Sequence, residues 1–343
     1  MTITAGTDYT APASLAKAFI RVMSSHHTGT RIETGDSNVQ QQAGTCWINN
    51  PGNLLTSITF QRYGAATDTL TINWEIVEYV GAGGGANEFV VRGQGIDSLT
   101  TAEDASTTGT ISGISTVADC VAWITGQGAA NLSTIGREAM HIASINDLGA
   151  GDVTITLTRE RQNAEASTVS YALIEFVGSA WTVQRATHTT TTPGTEETET
   201  VSTVGDIANA FVHHQFKVGG ELCDDDGCRA WLSAATTVSF QTDSGASAVD
   251  SVAWVMQNAS LVVTRFTGTD ATNASWNHDV TSAGLADLAK TTLEEVGVTV
   301  NQATSSFAAE IVAARLTSTT NVELRRSRVL ATSTYRFATV VWP

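Results

Sequence analysis

The chain has 343 residues, of which 18 are lysine or arginine and 34 are aspartate or glutamate, so its formal net charge is −16. Only Lys17, Lys217 and Lys290 are lysines, and apart from the short run RRSR at 325–328 no window of the sequence holds a basic cluster. A nucleic-acid-binding surface needs such clusters to displace phosphate counterions, so the composition disfavours a nucleic-acid partner. The apolar share of 42% can fill a core, which argues against intrinsic disorder.

Membrane and export signals are missing from the sequence pattern. No apolar run approaches eighteen residues, and the first ten residues, MTITAGTDYT, lack the basic and apolar regions of a secretion signal. We therefore expect a chain that neither spans a membrane nor is exported by a Sec-type signal.

Alternating apolar and β-branched residues recur along the whole chain, in runs bounded by Gly, Asn, Asp and Ser. Such runs predict β-strands, and their spacing of about ten to fifteen residues is typical of antiparallel sandwiches or barrels. The clearest runs lie at 57–62, 69–80, 152–159, 168–177, 236–242, 251–256, 321–326 and 335–342. Helical periodicity is weak and confined to 14–20, 284–296 and 307–316. The predicted fold class is all-β, with short helices at most.

The sequence also repeats itself four times. Each copy opens with a similar segment, joins two strands by a polar hairpin, and makes the second strand almost continuously apolar. In the first three copies this apolar strand is followed by one that ends in Val-x-Arg or Val-Arg, at 88–93, 181–186 and 261–266. We predict four tandem antiparallel β-sandwich or barrel-like modules after an N-terminal strand segment. Their expected ranges are 1–13 for the segment and 14–116, 117–203, 204–283 and 284–343 for the modules.

The two ends of the chain are related to this repeat. The fourth copy stops at Trp342-Pro343 without a Val-x-Arg strand, whereas residues 6–10 resemble residues 268–272 at the end of the third copy. An unfilled sheet edge is an aggregation hazard. We therefore hypothesise that residues 1–10 complete the sheet of the fourth module or pair with the edge of a neighbouring subunit.

Cysteine and histidine provide little evidence for a metal site. Cys223 and Cys228 flank a short turn, which can close by a disulfide, hold two free thiols or contact a metal ion. Cys46 and Cys120 fall at unrelated points of the repeat and are expected to be small core residues. The adjacent pairs His26-His27 and His213-His214 lack the spacing that places two rings on one metal. We predict no metal and no cofactor.

Catalytic motifs are also missing. The Gly-rich run at 81–86 is not followed by Lys-Ser/Thr, so it is no phosphate-binding loop, and no G-x-S-x-G elbow is present. Glu78 and Glu175 share one repeat position, where the other copies carry Gln257 and Val341. A carboxylate pair of the glycosidase type is one interpretation, and a structural edge of each module is the simpler one. We predict that the chain is not an enzyme.

Four residues are candidates for contacts with partners. Arg92, Arg185 and Arg265 end the three Val-x-Arg strands. Each can pair with an acidic neighbour in its own module, or form an inter-subunit interface, where arginine is enriched. Trp276 lies in a polar stretch and is a candidate for ligand contact, whereas most of the other tryptophans fall within strand patterns and are expected in the core.

The repeated segments EYVG…VVRG at 78–93 and EFVGSAWTVQRA at 175–186, in a chain of tandem β-modules rich in Thr, Ala, Gly and Ser, resemble bacteriophage virion structural proteins. The resemblance implies a capsid decoration or stabilising protein, a head fibre or a tail protein. Such a protein binds the major capsid protein or other virion proteins, forms homo-oligomers, and in some cases binds host surface glycans. It also implies assembly in the host cytoplasm and residence in the virion. The alternative is a carbohydrate-binding tail adhesin or surface-layer module.

Overall fold

A computed structural model describes residues 1–27, 46–63, 70–129, 140–160, 166–218, 228–242, 248–270, 275–300, 312–326 and 333–343. These residues form β-strands that are joined by loops and short 3₁₀ turns, and no α-helix occurs among them. The predicted all-β class is confirmed. Within the same residues, no helix has the length and hydropathy needed to cross a membrane.

Twenty-three strands follow one another along the described residues. The first five are β1 (Thr2–Thr4), β2 (Ala18–His27), β3 (Trp47–Ile48), β4 (Ser57–Gln61) and β5 (Leu70–Glu78). The next six are β6 (Val90–Leu99), β7 (Ala105–Thr107), β8 (Cys120–Ala129), β9 (His141–Gly149), β10 (Asp152–Arg159) and β11 (Ser167–Glu175). Then come β12 (Trp181–Thr189), β13 (Glu196–Thr200), β14 (Ala210–Val218), β15 (Cys228–Ala234), β16 (Thr237–Thr242) and β17 (Val249–Asn258). The last six are β18 (Val262–Asp270), β19 (Ser275–Asp279), β20 (Thr291–Val300), β21 (Val312–Ser318), β22 (Asn321–Arg326) and β23 (Ser333–Val341).

The strands form four modules of one topology, and neighbouring strands in each sheet are antiparallel. A complete module has six strands, which we call A to F in chain order. Strand F lies between A and C in one sheet, and strand E lies between B and D in the other. The complete modules run from β6 to β11, from β12 to β17 and from β18 to β23. The first module, from β1 to β5, has strands B to F only.

Each Val-x-Arg strand is the strand A of the module that follows it. β6 pairs with β11, β12 with β17 and β18 with β23. The expectation that these strands end the preceding modules, with boundaries at 116, 203 and 283, is therefore wrong. Each Val-x-Arg strand lies in sequence between two strands F that are both rich in apolar residues. The sequence pattern therefore does not show with which of the two it pairs.

The N-terminal strand β1 is the strand B of the first module. It pairs with β4, with Thr2 opposite Thr59. The segment that follows is held to the same module, because the Tyr9 hydroxyl donates a hydrogen bond to the Leu54 carbonyl at 2.8 Å. The hypothesis that residues 1–10 complete the sheet of the fourth module is wrong, because that module has its own strands A and B, β18 and β19.

Burial explains the two kinds of strand in the sequence. In β10, a strand E, the buried and partly exposed residues alternate, because only one face packs on the core. In β11, a strand F, eight of nine residues are buried. A strand that is buried on both faces needs a nearly continuous apolar sequence, which is the pattern of β11 and of β17, where eight of ten residues are buried.

A single 3₁₀ turn precedes each strand C, and it accounts for much of the weak helical periodicity. The turns are Leu15–Lys17, Val117–Asp119, Ile207–Asn209 and Leu288–Lys290. In three of them the capping side chain, Ser14, Asp206 or Asp287, accepts a hydrogen bond from the second amide of the turn. The chain then continues as a strand, so the short helices expected at 14–20 and 284–296 are limited to this one turn.

The four modules close into a ring. Strand C of each module packs against strand D of the module before it, β8 on β3, β14 on β9 and β20 on β15. The series closes because β2, strand C of the first module, packs against β21, strand D of the fourth. One apolar cluster, which we call the hub, contains buried residues of all four modules, among them Phe19, Trp123, Phe211 and Val340. The modules therefore share this hub, while the first, third and fourth also have apolar clusters of their own.

The seam between β8 and β3 shows how closely neighbouring modules approach. The Gln127 amide of the second module donates to the Cys46 carbonyl of the first at 2.9 Å. A Cβ atom on Gly126 would lie 2.9 Å from the same carbonyl oxygen. A larger residue at this position would push the two modules apart, so the seam requires glycine.

Candidate functional site

A layer of four unlike side chains lies where the modules meet. Arg21, Trp123, His213 and Glu294 are each the fourth residue of their strand C. The Arg21 Nη2 atom lies 2.6 Å from Glu294 Oε1, and its guanidinium carbon lies 4.9 Å from the centre of the Trp123 ring. The Trp123 and His213 rings stack with their centres 3.9 Å apart. We call these four residues the axial layer.

The arginine of the axial layer faces two carboxylates, one of them outside the layer. Arg21 contacts a second carboxylate, Glu75, at 2.5–2.6 Å. Burial raises the pKa of Glu294 to about 7, against the opposing effect of Arg21, and it also raises the pKa of Glu75. One arginine thus serves the buried carboxylate of Glu294 and the partly exposed carboxylate of Glu75, and a proton or a further cation relieves the excess negative charge.

The histidines of strand β14 are buried beside this layer. Burial lowers the pKa of His213 well below its usual value and that of His214 to about 3, so both rings are neutral at pH 7. The His214 Nε2 atom lies 3.1 Å from the Ser251 hydroxyl. His26 and His27 end β2, and their side chains lie outside the described residues. Within the described part of the chain no group of three acidic, histidine or cysteine side chains could hold a metal ion.

The three predicted interface arginines all contact groups inside the ring. Arg92 and Arg185 make contacts within their own modules, whereas Arg265 also contacts the neighbouring module. Arg92 pairs with Glu175 in its own module at 2.6 Å. Arg265 forms two hydrogen bonds with Glu295 in its own module, and it also donates to two backbone carbonyls of the third module at 2.8 Å each. Arg185 lies over the Trp254 ring, 5.8 Å from its centre.

The predicted disulfide partner Cys223 lies outside the described residues, so the state of the pair stays a prediction. Cys228 is buried, and its Sγ atom lies 3.5 Å from the Ser251 hydroxyl. Cys46 and Cys120 are buried, as expected for small core residues. Burial raises the pKa of Cys120 to about 12, which makes its thiol a poor nucleophile.

Tryptophans occupy the interior of the modules. Trp123 and Trp254 are almost fully buried, and Trp47, Trp181 and Trp231 are also buried. The candidate ligand contact Trp276 lies in strand β19, opposite Leu324 of β22, and its side chain lies outside the described residues. The glycan contact predicted for it stays a prediction.

Glu78 and Glu175 hold the loop before the 3₁₀ turn of their own module. The Glu78 carboxylate accepts a hydrogen bond from the Ala13 amide at 2.6 Å, and Glu175 accepts two from the Ser115 and Thr116 amides. In the third module Gln257 lies next to the corresponding residue, Gly205. These contacts give the shared repeat position a structural role in the end of each strand F.

A groove runs along the open edge of β5, between the first and fourth modules. Among the described residues, β5 pairs only with β2, so its second edge carries no strand. Two adjoining cavities, of about 650 and 400 Å³, follow this edge and share Glu75 and Leu288 in their walls. Their floor includes apolar side chains, among which Val80 is 85% and Leu288 39% exposed.

The groove occupies the place that strand A fills in the other modules. There, strand A lies between its own strand F and the 3₁₀ turn of the module before it: β6 packs on Leu15–Lys17, β12 on Val117–Asp119 and β18 on Ile207–Asn209. The fourth turn, Leu288–Lys290, faces the groove and the edge of β5 instead. Accordingly, no residue from Thr71 to Ile76 is fully buried, in contrast to the buried strands β11 and β17.

Sequence reasoning missed both the axial layer and the groove. The four axial residues differ in type, so they produce no repeat signal, although each follows a similar segment by the same number of residues. The groove did have a weak signal in β5 itself, where Thr71, Asn73 and Glu75 alternate with apolar residues instead of forming a continuous apolar run.

Comparison with known proteins does not assign this fold to a family. No protein-family model matches the sequence, and no curated protein is significantly similar to it.

Proposed function

We propose that the chain is a structural protein of a bacteriophage virion, a capsid decoration or head-exterior protein that acts through protein–protein contacts. The observation that supports the proposal is the closed ring of four β-modules around one hub. Such a ring is a rigid block with several similar faces, which suits repeated contacts with a symmetric particle.

The use of charge within the ring is consistent with this function. Arg21, Arg92 and Arg265 all form ion pairs with glutamates inside the modules or the axial layer. The overall charge of −16 favours the outside of a particle, away from packaged nucleic acid. The proposed partners are the major capsid protein or other virion proteins, together with further copies of this chain.

The test is whether the chain is a part of particles. Particles released from the organism that encodes the chain are banded in a density gradient, and the fractions are probed with antibodies against the purified chain. We expect the chain to band with intact particles, to be labelled on their surface by immunogold, and to make them more resistant to heat than particles from which it is deleted. A chain that stays at the top of the gradient, with unaltered particles in the deletion, would contradict the proposal.

A further inference from the structure

We propose that the open edge of β5 binds an extended segment of a partner protein, which completes the first sheet as its strand A and places an arginine or lysine beside Glu75. The inference goes beyond the proposed function, because it concerns one binding mode and holds whether or not the chain is part of a virion.

Backbone geometry is the first argument. The groove follows β5 from Ile72 to Glu78, a length of about 20 Å at about 3.3 Å per residue, which accommodates a strand of about seven residues. The missing ladder partner leaves a row of amides and carbonyls available for strand addition, the main-chain mode by which sheets bind extended peptides. Proteins rarely leave such an edge uncovered.

The register of the other modules shows which side chain the added strand would bring. In the third and fourth modules, the arginine of strand A lies opposite Trp254 and Ala338 of strand F. Trp254 and Ala338 also lie opposite the fourth residue of their strand C. In the first module the residue opposite the fourth residue of strand C, Arg21, is Glu75, so Glu75 is their equivalent. An arginine at the same place in an added strand would therefore lie beside Glu75.

Charge complementarity is the second argument. Glu75 is 22% exposed, lines both cavities and shares the single guanidinium of Arg21 with Glu294. A cation from an added strand would balance the second carboxylate. Glu78 occupies the position in the first module that Glu175 occupies in the second, where Glu175 pairs with Arg92 of strand A. A second basic residue in the added strand would therefore find an acidic partner in Glu78.

The occupant is a different protein rather than a second copy of this chain. Every strand in the described part of the chain already pairs within its own module. A second copy could donate one of these strands only by opening a module, which costs the contacts of that sheet.

A peptide that copies the chain's own strand β12, residues 180–190, serves as the probe. It is labelled with fluorescein, and its binding to the intact chain is followed by fluorescence polarisation. The control peptide carries the change Arg185→Glu and is otherwise identical. We expect saturable binding with one peptide per chain, weakened about tenfold or more by the glutamate, together with slower hydrogen exchange in β5.

Two variants of the chain locate the site. Ala289 is exposed in the wall of the groove, so Ala289→Trp should fill it and weaken peptide binding about tenfold or more. Ser282→Trp places the same side chain at an exposed position of the neighbouring turn, outside the groove, and should leave binding unchanged.

Three results would overturn the proposal. They are the absence of saturable binding at about 1 mM peptide, equal binding to the Ala289→Trp and Ser282→Trp variants, and protection of β5 by self-association of the chain without any peptide. The last result would assign the groove to a second copy. None of them bears on whether the chain bands with virions, so the two proposals fail separately.

Discussion

Buried charged groups are concentrated where the modules meet. Arg21 bridges Glu75 of its own module and Glu294 of the fourth, and it also lies over the Trp123 ring of the second. A buried ion pair contributes little net stability over an apolar replacement, but removal of one partner leaves an uncompensated charge in the interior. We therefore expect the axial layer to contribute to the specificity with which the modules meet in the ring, more than to its net stability.

The first prediction concerns Arg21. Arg21→Ala should lower the free energy of unfolding by about 3–5 kcal/mol, because it leaves the buried carboxylate of Glu294 and the partly exposed one of Glu75 without a cation. The control is Lys290→Ala, which removes a cation from an exposed position. The control should cost less than about 1 kcal/mol. Urea unfolding measures both changes, and equal losses would contradict the role given to Arg21.

A second prediction concerns His214 and pH. The unfolded chain protonates this residue at its ordinary pKa of about 6.5, whereas burial lowers the pKa of the folded ring to about 3. Between these values the unfolded state binds one more proton. The stability that depends on the neutral ring is complete above pH 6.5 and decreases by about 1.4 kcal/mol per pH unit below it.

The variant His214→Asn removes this titration. The free energy of unfolding of the wild type, relative to the variant, should therefore fall by about 2 kcal/mol between pH 6.5 and pH 5. Urea unfolding at several pH values measures the difference. Parallel pH profiles for the two proteins would show that His214 does not remain neutral in the folded state.

Among the secondary-structure elements, strand F decides how the chain is connected. It is the central strand of its sheet, paired on one edge by strand C and on the other by strand A. The loop after strand F leads directly into the strand A of the next module. The strand A that completes a sheet in one module is therefore connected in sequence to the strand F of the preceding module. Among the described strands F, β5 alone has no strand A beside it, because its sheet contains only β2 and β5.

A third prediction belongs to the N-terminal strand. Deletion of residues 2–4 should remove the hydrogen-bond partner of β4 and increase hydrogen exchange in β4 and β3. The sheets of the fourth module should keep their protection, because β1 does not pair with them. Increased exchange in β22 or β23 with normal exchange in β4 would contradict this placement.

At the scale of the whole molecule, we expect the ring to unfold as one cooperative unit rather than as a row of independent domains. The hub draws residues from all four modules, and each seam joins strand C of one module to strand D of the one before. Removal of any module would expose part of the hub and open two seams. Stability is therefore expected to be a property of the closed ring.

The fourth prediction tests this cooperativity. The complete chain should unfold in one calorimetric transition, whose measured enthalpy equals the van't Hoff enthalpy. A chain that ends at Asn258 lacks Glu294 and the hub residues Ala338 and Val340, so it should not show a cooperative transition. A truncated chain that unfolds cooperatively near the midpoint of the complete chain would contradict the shared core.

The sequence predicted the fold class well and the connections poorly. Alternation in β10 and the apolar run in β11 identify an outer and a central strand, because burial of one or both faces acts within a few residues. Two of the four 3₁₀ turns, Leu15–Lys17 and Leu288–Lys290, were visible as weak helical periodicity for the same local reason. The sequence placed the Val-x-Arg strands in the wrong modules, since β6 could pair with the apolar β5 or with the apolar β11.

The sequence by itself determined an all-β chain of four repeats, because strand alternation and turn residues are local properties. Only the tertiary structure decided that β1 belongs to the first module, that β2 meets β21 to close the ring, and that no described strand pairs with the second edge of β5. It also brought Arg21, Trp123, His213 and Glu294 into one layer. These outcomes depend on contacts between residues far apart in the chain, and neither residue type nor spacing specifies which of several similar strands will meet.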